Sequence, residues 1–153
     1  MKTKLTVMFA LVFSATVATV TVSDDTPPAV SEALSDKVRG FLKKEMRLLA
    51  ESGRAVEAAI AAGNSGEVKK RAEAMRENFV HKDEVTTFDL REIEAALGVD
   101  FVEQDKAFHA SARALEAAAK AGDKAGQRHI FNQMLEACAA CHAAYAPEAP
   151  VLE

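Results

Sequence analysis

The sequence predicts an all-α protein: an antiparallel four-helix bundle with a short extra helix in the crossover between the second and third long helices. Three observations predict it. Apolar residues recur at intervals of three and four from Val38 to Tyr145, the period of one helical face. No stretch alternates apolar with polar residues as a half-buried strand would. The breaks at Asn64-Ser65-Gly66 and Gly122-Asp123 are short, which suits antiparallel neighbours in a bundle. With 153 residues, 49% hydrophobic and 27% charged, the chain has the size and composition of one globular domain.

The chain opens with Lys2 and Lys4, an apolar run from Leu5 to Val22, and then Asp24 and Asp25. This is the layout of a secretory signal peptide over residues 1–23, with a small residue at the cut after either Ala18 or Ser23. An uncleaved anchor is the competing reading, since the eighteen apolar-run residues reach the lower limit for a spanning helix. Four threonines and a serine dilute the run, which favours export with cleavage and no stable membrane insertion afterwards. Cleavage removes two lysines and no acid, moving the net charge from −4 to −6. An acidic domain is a poor nucleic-acid binder; its charge suits either a basic patch on a redox partner or plain solubility.

Residues 24–30, with Pro27 and Pro28, read as an extended lead-in. Ser31 is the expected cap of a first helix running to Gly63, with Val38, Leu42, Met46, Leu49, Gly53, Val56 and Ile60 on its apolar stripe. Gly53 marks either a kink or a close helix approach. Val68, Ala72, Met75 and Phe79 mark the inner face of a second helix over about residues 65–82. Thr86 and Thr87 offer a cap for a short piece with Leu90, Ile93 and Leu97 inward and Gly98 as its stop. Asp100 with Glu103 is a capping-box variant for the next helix, lined by Phe101, Phe108, Ala112, Leu115 and Ala119. The last helix starts at Asp123 and ends near Tyr145, ahead of Pro147, with Phe131, Met134, Cys138, Cys141 and Tyr145 inward. The bundle thus covers residues 31–146, and residues 147–153 form a tail.

Cys138-Ala139-Ala140-Cys141-His142 is a C-x-x-C-H run, the spacing of a covalent attachment site for one haem c. Two thiols bond the porphyrin vinyl groups, and the adjacent histidine comes beneath the iron as an axial ligand. Residues three and four apart share a helix face, so one turn supplies all three groups. A disulfide across two alanines within a helix would staple almost nothing. A thioredoxin-like pair needs a βαβ context, and a zinc site needs further ligands at regular spacing. His81, His109 and His129 fall off the stripes and read as solvated; Arg39, Lys43 and Arg128 are either propionate partners or solvated charges. Phe131 and Tyr145 pack either the haem edge or the bundle core.

The other axial position decides the task. A methionine thioether there suits electron transfer, whereas an open position accepts a small gas. Met46, mid-helix on the inward stripe, is the first candidate, with core filling as its competing role. Met75 is the alternative, and Met134 shares a helix with His142 and cannot reach across the iron.

With the motif placed, the chain resembles the cytochrome c′ family of bacterial four-helix-bundle cytochromes over about residues 31–146. The resemblance is carried by Ala121-Gly122-Asp123, Phe131, the C-x-x-C-H run and Tyr145. It implies Cys138 and Cys141 as thioether anchors, His142 as proximal ligand, and Met46 near the distal methionine of the family's low-spin members. Leu42 stands where many members carry an arginine, and Ala139 where a basic residue is common. The resulting expectation is a periplasmic, monohaem one-electron carrier, not an enzyme, serving an unidentified redox partner and compatible with a homodimer. A five-coordinate protein binding NO or CO is the alternative, and a haem-free interaction bundle is a third class.

Overall fold

The computed structural model describes residues 33–77, 85–149 and 151. The expected signal segment, the lead-in, Ser31, Phe79 and His81 lie outside the described residues. Within them the protein is all-α, with helices α1 (Asp36–Ala61), α2 (Ser65–Arg76), α3 (Thr87–Leu97), α4 (Val99–Lys120) and α5 (Lys124–Tyr145). No strand occurs among the described residues, and no described helix is long and apolar enough to cross a membrane.

The helix ends follow from short-range chemistry. Ser35, not Ser31, caps α1, its hydroxyl accepting from the Val38 amide at 3.4 Å, and Asp36 puts a negative charge at the positive end of the helix dipole. α1 runs unbroken through Gly53, which is buried with Ser52; close packing offsets the flexibility cost of glycine there. Two nearly identical turns then reverse the chain. Gly63 and Gly122 take φ of +67° and +69°, a left-handed conformation open to glycine. The amide five residues on closes each helix, Asn64 to the Ala59 carbonyl at 2.8 Å and Asp123 to Ala118 at 3.0 Å, as in a Schellman motif. The same Asn64 and Asp123 side chains cap α2 and α5.

Thr86 and Asp89 form a reciprocal capping box at the start of α3, and Gly98 at φ +86° stops it. The chain passes directly into α4, so Gly98 occupies the cap position and makes no side-chain cap bond. The expected Asp100 cap is therefore displaced. Asp100 falls in the first turn of α4, and Glu103 pairs with Lys106 at 2.8 Å instead.

α1 packs on α2, α2 on α4, α4 on α5 and α5 back on α1, while α3 lies against α4 and α1. Neighbours run in opposite senses. Met46 shares a pocket with Cys138 and His142, whereas Glu57 and Ile60 share a hollow with Arg128 and Phe131, so α1 and α5 are antiparallel. Gln127 at the head of α5 donates to Ser65 at the head of α2, 3.0 Å away. The main core joins Leu49, Val56, Met75, Leu115, Phe131 and Met134 across α1, α2, α4 and α5; α2, expected to run to about residue 82, ends at Arg76 with Glu77 at its cap position. A second cluster, Leu34, Val38 and Ile93, ties the start of α1 to α3, next to the Lys37–Asp89 ion pair at 2.7 Å.

Candidate haem-attachment site

The rotation of α5 is set by its core contacts. Phe131 and Met134 are 4% and 2% exposed, so the residues one and two turns on, Cys138, Cys141 and His142, share their face. Past Met134 the core thins out, and these three side chains are only partly buried. Phe101 at the start of α4 meets Tyr145 edge-on at 5.1 Å and anchors the end of α5, so Tyr145 packs within the protein.

Beside Cys138 and His142 lies a small pocket of about 40 Å³, partly open to solvent. Met46, Leu49, Ala50 and Gly53 form its α1 wall, Met75 and Phe108 its α2 and α4 walls, and Val151 reaches it from the C-terminal tail. Ala50 and Gly53 carry too little side chain to fill the space. The walls are apolar but for His142 and the Cys138 thiol.

Both cysteines are free thiols. Burial, then the neighbouring Cys141, pushes Cys138 up to about 11. Burial, then the Asp105 carboxylate, raises Cys141. Raised values disfavour the thiolate that a redox pair or a nucleophile needs. Among the described residues, no group of three or more His, Cys, Asp or Glu is arranged to hold a metal ion.

The His142 Nδ1 lies 3.1 Å from the Ala149 carbonyl oxygen. That oxygen can only accept, so Nδ1 carries a proton and, in the neutral imidazole, Nε2 is left with the lone pair. A ligating histidine held by its other nitrogen in this way has a fixed tautomer and ring orientation. The residues fit a covalent haem: two thiols one turn apart, an imidazole with Nε2 as its acceptor nitrogen, apolar walls, and a thioether on another helix.

Met46 is 36% exposed, whereas Met75 and Met134 are each 2% exposed within the core. Core filling therefore describes Met75 and Met134, although both also touch the pocket; it does not describe Met46. Arg39, Lys43 and Arg128 do not line this pocket. Arg39 donates to the Leu34 carbonyl at 2.7 Å, Lys43 is exposed, and Arg128 borders the hollow farther along the α1–α5 seam.

His129 is exposed as expected, but His109 is not. It is 5% exposed, its Nδ1 donating to the Met75 carbonyl at 2.6 Å. Its Nε2 lies 3.4 Å from Asp105 Oδ1 and 4.0 Å from Glu45 Oε1, distances of ion pairing rather than of an aligned hydrogen bond. Burial pushes His109 down, but Asp105, the Met75 carbonyl and Glu45 outweigh it, and the net direction is upward. Burial, then Asp105, raises Glu45 to about 7 against the pull of His109. Counting apolar residues alone misses this cluster. Its positional signal was there: Asp105, His109, Ala112, Glu116 and Ala119 step by fours and threes along α4, and Glu45 keeps the same step with Val38, Leu49, Ser52 and Val56.

Comparison of the chain with protein-family models, with curated proteins and with solved structures finds no match.

Proposed function

We propose that this chain is a periplasmic monohaem c-type cytochrome, similar to the bundle cytochromes it resembles, that carries single electrons. Cys138 and Cys141 would hold the porphyrin, with His142 and Met46 as the axial ligands. The observation that carries the reading is one of placement: the C-x-x-C-H run puts Cys138 and His142 on the wall of a pocket that Met46 lines from another helix. When bound, haem c supplies a one-electron ferric/ferrous couple.

The chain's own residues do the rest. Two thiols on adjacent turns of α5 fix the group rigidly to a core-anchored helix. The carbonyl at Ala149 keeps the His142 lone pair on Nε2. Leu49, Phe108, Phe131 and Met134 keep the walls apolar, which controls solvent access and tunes the potential. The Met46 thioether, as an iron ligand, would raise the potential relative to an open position.

The gas-binding alternative has one observation in its favour. At 36% exposure, Met46 is held by little packing and is free to leave its position to a small ligand. One experiment decides. Absorption spectra of the purified reduced protein should be low-spin and unchanged by carbon monoxide; a high-spin spectrum that responds assigns gas binding. Failure of the colour to stay with the polypeptide in acidified organic solvent ends both readings. Met46→Ala should convert the iron from low to high spin, and an unaltered spectrum removes Met46 from the coordination sphere.

A further inference from the structure

Beyond α5 the chain does not simply trail away. Ala146 leaves the helix with its amide still bonded to the His142 carbonyl at 2.8 Å, and the Ala149 amide then returns to the Ala146 carbonyl at 2.9 Å. This closes a four-residue turn with Pro147 in its second position, where the fixed φ of proline favours the reversal. The turn aims the Ala149 carbonyl back at the His142 ring, 3.1 Å from Nδ1. Two residues later Val151 meets the pocket that Cys138, His142 and Met46 line. A local turn and a hydrogen bond therefore converge on His142, beside a pocket that Val151 also lines.

We propose that the Ala146–Ala149 turn, with Val151 seated in the pocket, is a positioning strap for His142 that sets its tautomer and ring orientation. The role rests on the haem reading for its purpose but not for its geometry. A histidine on the last turn of a helix has two torsions to order and two nitrogens of similar basicity. Without an acceptor for Nδ1–H, the proton is free to sit on Nε2, the nitrogen that the iron would need. The strap removes that choice before any ligand arrives. Val151 supplies the apolar contact that holds the carbonyl in place, so Ala149 and Val151 act as positioning residues through His142.

The test uses the full chain and two variants, one ending at Ala146 and one carrying Val151→Asp. Nitrogen-15 long-range correlation spectra of the haem-free proteins, recorded with the imidazole neutral, report which ring nitrogen of His142 bears the proton. The intact chain should show a protonated Nδ1. Both variants should show a loss of that form in favour of Nε2–H, and Val151→Ile should restore it. Identical His142 signals in the intact chain and Val151→Asp overturn the proposal, and a truncated chain that fails to fold leaves that comparison decisive. In the haem-loaded proteins, loss of the carbonyl partner should raise the reduction potential, because the hydrogen bond makes the imidazole a stronger donor. If no haem attaches, the cytochrome reading fails while the tautomer result still decides the strap.

Discussion

Replacing Glu45 by Gln should flatten the stability of this protein between about pH 4.5 and 8. The Glu45 side chain is 3% exposed. Burial first, and Asp105 second, push its carboxyl from 4.5 up to about 7, with His109 pulling it back. The folded chain therefore keeps a proton that the unfolded chain releases near the ordinary carboxylate value. Between those values the folded state binds more protons, and stability falls as pH rises. At about 1.4 kcal/mol for each pH unit separating the two values, the full loss is about 3 kcal/mol. The imidazolium of His109 works in the same direction. Its raised value means its contribution is complete below 6.5 and is lost as pH rises through the folded value. Urea unfolding of the wild type at steps from about pH 5 to 8 should show a falling midpoint at constant slope. Glu45→Gln should lose most of that fall and keep the smaller share owed to His109. Equal pH dependence in the two proteins would refute the argument, because the burial of Glu45 would then have no energetic consequence.

Two further outcomes follow from the packing. Leu115 is 0% exposed in the main core, so Leu115→Ala should cost about 2–5 kcal/mol, read as a lower urea midpoint with unchanged slope. Asp89 is held down at about 2 by the Lys37 ammonium first, then by the amide and hydroxyl of Thr86. The stability from this network is present above 3.8 and is lost as pH falls toward 2. Asp89→Asn should therefore be less stable at neutral pH but less sensitive to acid over that window, as followed by helical circular dichroism.

What the sequence made legible was local. Asn64-Ser65-Gly66 marks the first turn only roughly: Gly63 makes the left-handed stop, Asn64 caps α2, and Ser65 and Gly66 already belong to the helix. Ala121-Gly122-Asp123 combines a left-handed stop with a side-chain cap, so that turn could be read directly. Thr86 and Gly98 bounded α3 for the same reason. The start of α4 could not be read this way. Asp100 is a good cap by type, but Gly98 turns the chain within one residue and takes the position first. Ser31 and Ser35 offer similar chemistry, and Ser35 prevails within the structure because it stands three residues before Val38, whose amide it accepts from and which is 0% exposed in the α1–α3 cluster. At the site, the face shared by Cys138, Cys141 and His142 followed from helical spacing. The burial of His109 and Glu45 did not, since a polar residue on an inner stripe is tolerated only where partners meet it, and those partners lie on other helices. The tail read as a remainder because its order comes from a single turn at Pro147 and one carbonyl.

The buried polar cluster and the open pocket are two sides of the same stretch of α1. Successive residues on a helix point about 100° apart, so Glu45 and Met46 cannot face the same neighbour. Glu45 turns toward His109 and Asp105 of α4, and Met46 consequently turns toward the pocket beside α5. The only full burial in this pair belongs to Glu45, at 2% against 36% for Met46, so the polar contact, not hydrophobic packing of the methionine, sets the rotation of α1 here. His109 strengthens the constraint by bonding the Met75 carbonyl, which ties α2 to the same point. An apolar residue at position 45 would relax that constraint, and α1 could then rotate to bury Met46 in the space beside Leu49 and Ala50. The chain instead places titratable groups in its interior next to the pocket. A thioether left exposed on the wall of a pocket that Cys138 and His142 also line is the consequence.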